Sequence, residues 1–141
     1  MPRVDFYLVG DGSPGAAAAT ACRLVEKAWL AGHRVYLRAA SAEAAARLDE
    51  TLWTFRQDSF VPHGRYPEQG AQGSPVLVGY GADPEGFGDV VVNLAADVPP
   101  FHARLSRVLE VVPADADARE AARARYRFYQ QEGYSLQTHE V

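Results

Sequence analysis

The residues in this sequence whose type and spacing best suit chemistry are three arginines, Arg119, Arg123 and Arg127, spaced i, i+4 and i+8. On a helix that spacing makes one ridge, with Tyr126 beside it. The planar fork of arginine suits carboxylates, and Arg and Tyr are the side chains that most often anchor interfaces. Like charges four apart cost a helix roughly 0.2–0.5 kcal/mol per pair, and Arg119 also falls in the first turn, where the helix dipole disfavours a cation. Two readings stay open. One is a solvated face partly neutralised by Asp117 and Glu120. The other is an anion-binding ridge with an aromatic edge. A net charge of −4 makes an acidic peptide a better partner than duplex DNA. Arg125 falls on the inward side of the same helix, which predicts a structural pairing with a carboxylate or backbone carbonyls.

A second candidate is Gly10-Asp11-Gly12-Ser13-Pro14-Gly15. It reads G-x-G-x-x-G between a strand-like segment and a helix-like one, the setting of a dinucleotide fingerprint. The acidic residue that would hold the ribose is missing, because the second strand ends Leu37-Arg38-Ala39-Ala40. An arginine there would still favour a 2′-phosphate. No Gly-Lys-Ser/Thr follows, so the lysine of a phosphate loop is absent. His33, His63, His102 and His139 have no Cys or carboxylate at ligand spacing, so neither a zinc site nor a Cys/His nucleophile is visible. Cys22 lies among Ala17, Ala18, Ala21, Val25 and Trp29 at helical spacing, which predicts a small core residue.

A third candidate is apolar. Leu48 and Leu52 lie four apart and face the core, whereas Trp53 is rotated by about 100° and points off the core edge. Phe60 follows closely in Asp58-Ser59-Phe60-Val61-Pro62-His63. Either the two rings form an exposed patch for a partner to cover, or both tuck under the loop.

The elements that must position these groups follow from hydrophobic pattern and turn chemistry. With 141 residues, 48% of them hydrophobic and 23% charged, the chain fits one folded, water-soluble domain over 1–141. Its start carries no apolar leader, so the expected location is the cytoplasm. Val4 to Val9 reads as a buried strand, 10–15 as its loop, and Ala16 to Ala31 as an Ala-rich helix closed by Gly32. His33 to Arg38 reads as a second strand, after which Ser41 caps a helix to about Trp53. Gly64 to Ser74 is rich in Gly and Gln and reads as a surface loop. Val76 to Tyr80, Val90 to Leu94 and Arg107 to Val112 are further strands. Asp117-Ala118-Arg119-Glu120 resembles a capping box and Gly133 a stop, which sets the last helix at Ala118 to Glu132. On that helix Ala118, Ala121, Ala122 and Tyr129 form the apolar face, flanked by Phe128 and Tyr126. The alternation predicts a doubly wound α/β fold with a mainly parallel sheet and helices on both faces.

Arg47-Leu48-Asp49-Glu50-x-Leu52-Trp53 followed by Ser59-Phe60-Val61-Pro62-His63 resembles the signature of the chi subunit of bacterial DNA polymerase III holoenzyme. The resemblance continues through Phe6-Tyr7-Leu8, Val111-Val112-Pro113, and Ala122-Arg123-Ala124-Arg125-Tyr126-Arg127 with Gly133 after it, so it covers essentially the whole chain. It implies a non-catalytic accessory protein of the clamp-loader assembly, without a cofactor. Such a protein joins the psi subunit to the acidic, Phe-ended C-terminal tail of single-stranded DNA-binding protein. Carried onto this sequence, it implies a tail site of Arg119, Arg123, Tyr126 and Arg127, with Val112 and Thr138 lining a pocket for the terminal Phe. The psi-facing surface would include Trp53 and Phe60, which tips those residues toward exposure. The family's fold is nucleotide-binding-like without a working phosphate loop, so 10–15 becomes a tight strand-to-helix turn. Neither direct nucleic-acid binding nor a membrane is expected. The main competitor is a dinucleotide-dependent enzyme using the loop from Gly10 to Gly15. Single-strand binding by Arg and Tyr ranks last, because the ridge has one suitable aromatic and the chain is acidic.

Overall fold

Short runs of β-branched residues bounded by Gly, Pro and Asp set the strands, and Ala-rich segments with polar caps set the helices. The computed structural model describes residues 3–58, 60–68, 73–81 and 83–141. In chain order the elements are β1 (Arg3–Leu8), α1 (Ala16–Leu30), β2 (Val35–Ala39), α2 (Ala42–Thr54), β3 (His63–Arg65), β4 (Val76–Tyr80), β5 (Val90–Asn93), β6 (Arg107–Val112), α3 (Ala116–Gln131) and β7 (Ser135–Glu140). The strands form one sheet in the order β3-β4-β2-β5-β6-β1-β7, and every pairing among the described residues is parallel. This is the doubly wound α/β arrangement that the alternation predicts.

Period-two alternation assigns each strand residue to a face. Val35, Leu37, Val76, Val78, Val90, Val92, Leu109 and Val111 point to the side covered by α1 and α2, where they meet Ala21, Cys22, Val25, Ala45, Leu48 and Leu52. Val4, Phe6, Tyr36, Leu77, Val91, Val108 and Val112 point the other way and meet Ala122 and Tyr129 of α3. Because α1 follows β1 on one face and α3 follows β6 on the other, the neighbours β1 and β6 send their chains apart, leaving a crevice at their C-terminal ends.

Most element ends sit where the turn chemistry puts them. Ser41 accepts from the Ala44 amide at 3.1 Å to cap α2, and Gly32 takes a positive φ of 95° just after α1, a conformation glycine adopts without steric cost. Two expectations need correction, and one element went unread in the sequence. The cap of α3 is Asp115, whose extended backbone lets its carboxylate accept from Ala118 N at 2.8 Å, so the helix starts at Ala116 and Asp117 lies inside its first turn. Gly64 and Arg65 belong to β3, not to a loop, because they pair with Leu77 and Val78. Residues 69–72 of that loop lie outside the described residues, as does Ser59 of the signature. Finally, the chain beyond Gly133 continues as β7, which lies parallel along the far side of β1 and pairs Thr138 with Phe6.

Candidate functional site

The last helix is held by what it buries. Arg125 Nε donates to Glu110 Oε1 at 3.0 Å, and its Nη1 donates to the Ala96 carbonyl at 2.9 Å. The Tyr129 hydroxyl donates to Glu110 Oε2 at 2.7 Å, and Asn93 Nδ2 donates to Oε1 at 2.9 Å. Arg38 extends the network, donating to Asn93 Oδ1 and to the Asp97 carbonyl, both at 3.1 Å. Arg125 therefore has both the carboxylate and the carbonyl predicted for it. Burial pushes the Glu110 carboxyl above its ordinary range, against the pull of Arg125, Tyr129 and Asn93, and it also raises the Tyr129 phenol. A buried pair of this kind specifies one rotation of α3 on the sheet.

That rotation turns the flank carrying Arg119, Arg123 and Tyr126 over the edge of the sheet. There it encloses a pocket of about 250 Å³ lined by Phe6, Leu8, Arg119, Ala122, Arg123, Tyr126 and Thr138. Its floor is apolar, made by β1 and Ala122, and Tyr126 packs against Phe6 with ring centroids 5.4 Å apart. Two guanidinium-bearing side chains stand at its rim. The space takes one apolar side chain, and the rim favours carboxylates.

The predicted residues divide. Arg119, Arg123, Tyr126 and Thr138 come together around the pocket. Arg127 is exposed one turn further along α3, outside the pocket lining, with no carboxylate partner among the described residues. Val112 is wholly buried beneath α3 and does not line the pocket, whose sheet-side wall is Phe6, Leu8 and Thr138. The arginines also differ among themselves. Arg119 is half-buried and donates to the Pro113 carbonyl at 3.1 Å and the Val9 carbonyl at 3.0 Å. Arg123 is exposed and pairs with Glu120 at 2.7 Å. Phe6 and Leu8 had no assigned role in the sequence, although alternation along β1 from the buried Val4 puts both on the α3 face.

Trp53 and Phe60 are exposed, at 52% and 62%, and adjacent, with ring centroids 5.4 Å apart. They form an apolar patch at the C-terminal end of α2. Leu48 and Leu52, one turn apart, are buried as expected.

The glycine loop lies in the crevice between β1 and β6, lined by Asp11, Gly12, Ser13, Pro14, Gly15, Arg47, Thr51, Pro113, Ala114 and Asp115 among others. Asp11 accepts from the Ser13 amide at 2.9 Å, so the loop's own carboxylate occupies a donor that a pyrophosphate would need, and Asp115, the cap of α3, adds a second carboxylate to the crevice lining. Cys22 is fully buried, and burial pushes its thiol up to about 12, which suits a core residue and not a nucleophile. Among the described residues no group of three or more His, Cys, Asp or Glu side chains is placed to hold a metal. No described helix is long and apolar enough to cross a membrane.

A family model described as DNA polymerase III chi subunit, HolC, matches residues 1–137. A DNA polymerase III subunit chi from Pseudomonas aeruginosa is 42% identical over 141 residues, spanning 100% of this chain and 98% of its own. The subunit chi of Escherichia coli is 28% identical over 98% of this chain and 97% of its own length. That of Haemophilus influenzae is 27% identical over 97% of this chain and 96% of its own.

Proposed function

The chain belongs to the DNA polymerase III chi subunit family, and from that premise we propose that it is a non-catalytic accessory subunit of the replicative polymerase that links the psi subunit to the acidic, Phe-ended C-terminal tail of single-stranded DNA-binding protein. The observation that carries the reading is the pocket beside α3. An apolar floor of Phe6, Leu8 and Ala122 with Arg119 and Arg123 at its rim is complementary to one aromatic side chain flanked by carboxylates. Tyr126 and Thr138 wall it, Arg127 extends the positive ridge, and Val112 supports the floor from within. The exposed pair Trp53 and Phe60 is the surface offered to psi. On this reading 1–141 acts as a single cytoplasmic domain that works through protein partners, without cofactor, nucleic acid or membrane.

Calorimetric titration with a peptide ending in Asp residues and Phe tests the tail site. We expect micromolar-class binding, on the order of a small charged interface, that weakens as salt rises. Arg123→Ala should weaken it about tenfold, the usual scale for truncating a charged interface anchor. Unchanged affinity in that variant would remove the ridge from the site.

A further inference from the structure

Under the Trp53–Phe60 patch lies a histidine whose two ring nitrogens meet different neighbours. The His63 side chain is only 1% exposed. Its Nδ1 is 2.7 Å from the Val61 carbonyl oxygen. A carbonyl only accepts, so Nδ1 carries a hydrogen. Its Nε2 is 3.2 Å from Asp49 Oδ1 of α2, without the alignment of a hydrogen bond, and has no other polar partner among the described residues. A neutral ring thus directs a buried lone pair at a carboxylate, whereas a protonated ring sets a positive charge 3.2 Å from it. The imidazole also touches the exposed Trp53 ring, with centroids 4.6 Å apart. A charged imidazole against an indole is a cation–π contact.

We propose that His63 is a proton-sensitive prop for the Trp53–Phe60 patch, fixing Trp53 when protonated so that a partner docking there binds more tightly as pH falls. This deepens the reading of that patch as the psi-facing surface and rests on it. Among the described residues, the groups facing His63 come from three segments. Asp49 and Trp53 come from α2, the Val61 carbonyl comes from the connection before β3, and the apolar Val76 lies opposite on β4. Arg65 shares the His63 side of β3 and has partners of its own. Arg56, just past α2, is tied to Glu26 at 2.9 Å. Asp49 is thus the carboxylate that sees the ring's charge. His63 acts through Trp53 and is a positioning residue.

The chain has two tryptophans, so Trp29→Phe leaves Trp53 as the sole reporter. Its emission, followed from about pH 8.5 down to about pH 5.5 across the histidine range, should drop as pH is lowered, because the charged ring quenches the indole. His63→Gln should abolish the transition. Asp49→Asn, which keeps the shape of the site, should move it to lower pH. Titration of the intact chain with the psi subunit should give affinity about twofold to fivefold tighter near pH 6 than near pH 8, on the scale of one cation–π contact. In His63→Gln that ratio should fall to the level set by the partner's own groups. Emission independent of pH, or a transition that survives His63→Gln, overturns the prop. A psi subunit that fails to bind at any pH overturns the docking reading, while the Trp53 transition still decides the role of His63.

Discussion

At the scale of residues, the arginine ridge is one motif in sequence and three different jobs in structure. The spacing of Arg119, Arg123 and Arg127 was legible because helix geometry alone puts them in line. Their division was not, because it depends on acceptors that only folding supplies: Arg119 reaches the Val9 carbonyl, 110 residues away, as well as that of Pro113. Arg119→Ala should therefore cost stability, by about 1–2 kcal/mol for the loss of charge-assisted bonds to half-buried carbonyls. Arg127→Ala should leave the denaturation midpoint unchanged while weakening the acidic peptide. Urea melts of the two variants separate them, and equal midpoints would show that Arg119 is as free as Arg127. Arg125 is the case in which sequence reasoning went furthest. Its inward position predicted a partner, although Glu110 as that partner was hidden inside an apolar-looking strand. Glu110→Gln should destabilise the fold by about 3 kcal/mol, because it strands a buried guanidinium. A loss well below 1 kcal/mol in the same melts would mean that Asn93, Tyr129 and the Ala96 carbonyl hold the helix without the charge.

At the scale of elements, the helices and central strands were legible and the sheet edges were not. The inner strands β4, β5 and β6 are buried on both faces and so read as stretches rich in Val and Leu. The edge strand β7, Ser135–Glu140, is mostly exposed; only Leu136 and His139 are half-buried, so no alternation marks it. Its anchorage is polar and non-local. His139 Nε2 lies 2.8 Å from Asp5 Oδ1 and its ring stacks on Tyr7, while Arg3 donates to Gln137 at 2.7 Å. Arg107 completes the cluster, 3.0 Å from Asp5 Oδ2. Burial alone would push the Asp5 carboxyl up, but the bonds from His139, Arg3 and Arg107 outweigh it and hold it below the usual carboxylate range. A carboxyl lowered on folding contributes stability that is fully present above its unfolded value, about 3.9, and is lost as pH falls through the folded value. Asp5→Asn should thus lose about 1–3 kcal/mol at neutral pH, the range for bonds to a buried charge, and should lose less than the native chain on going to acid. Because β7 carries Thr138, the same variant should loosen the peptide pocket. Parallel denaturation curves for native and variant across the acid limb would sink this account of the edge.

At the scale of the whole molecule, what matters is where the two proposed partner surfaces sit on one sheet. The order of strands was not legible, since β1 and β2 follow each other in the chain yet lie on either side of β5 and β6. That order sets the separation. Trp53 and Phe60 lie by α2 and β3 at one edge, and the pocket lies by α3 and β7 at the other, on the opposite face. Six strand spacings make the two edges about 29 Å apart. Between them runs a parallel sheet buried on both faces. On the proposed role this separation matters, because the two docking surfaces do not overlap. The two surfaces should therefore act independently. Tail-peptide affinity should be the same with and without saturating psi subunit, within about 0.5 kcal/mol, the scatter of uncoupled sites. The double variant Trp53→Ala with Arg123→Ala should show each single effect on its own ligand and nothing more. Calorimetry in both orders of addition measures this. A change in tail affinity greater than about threefold, or mutual exclusion, would mean that the sheet transmits coupling between its edges or that psi reaches around to the pocket.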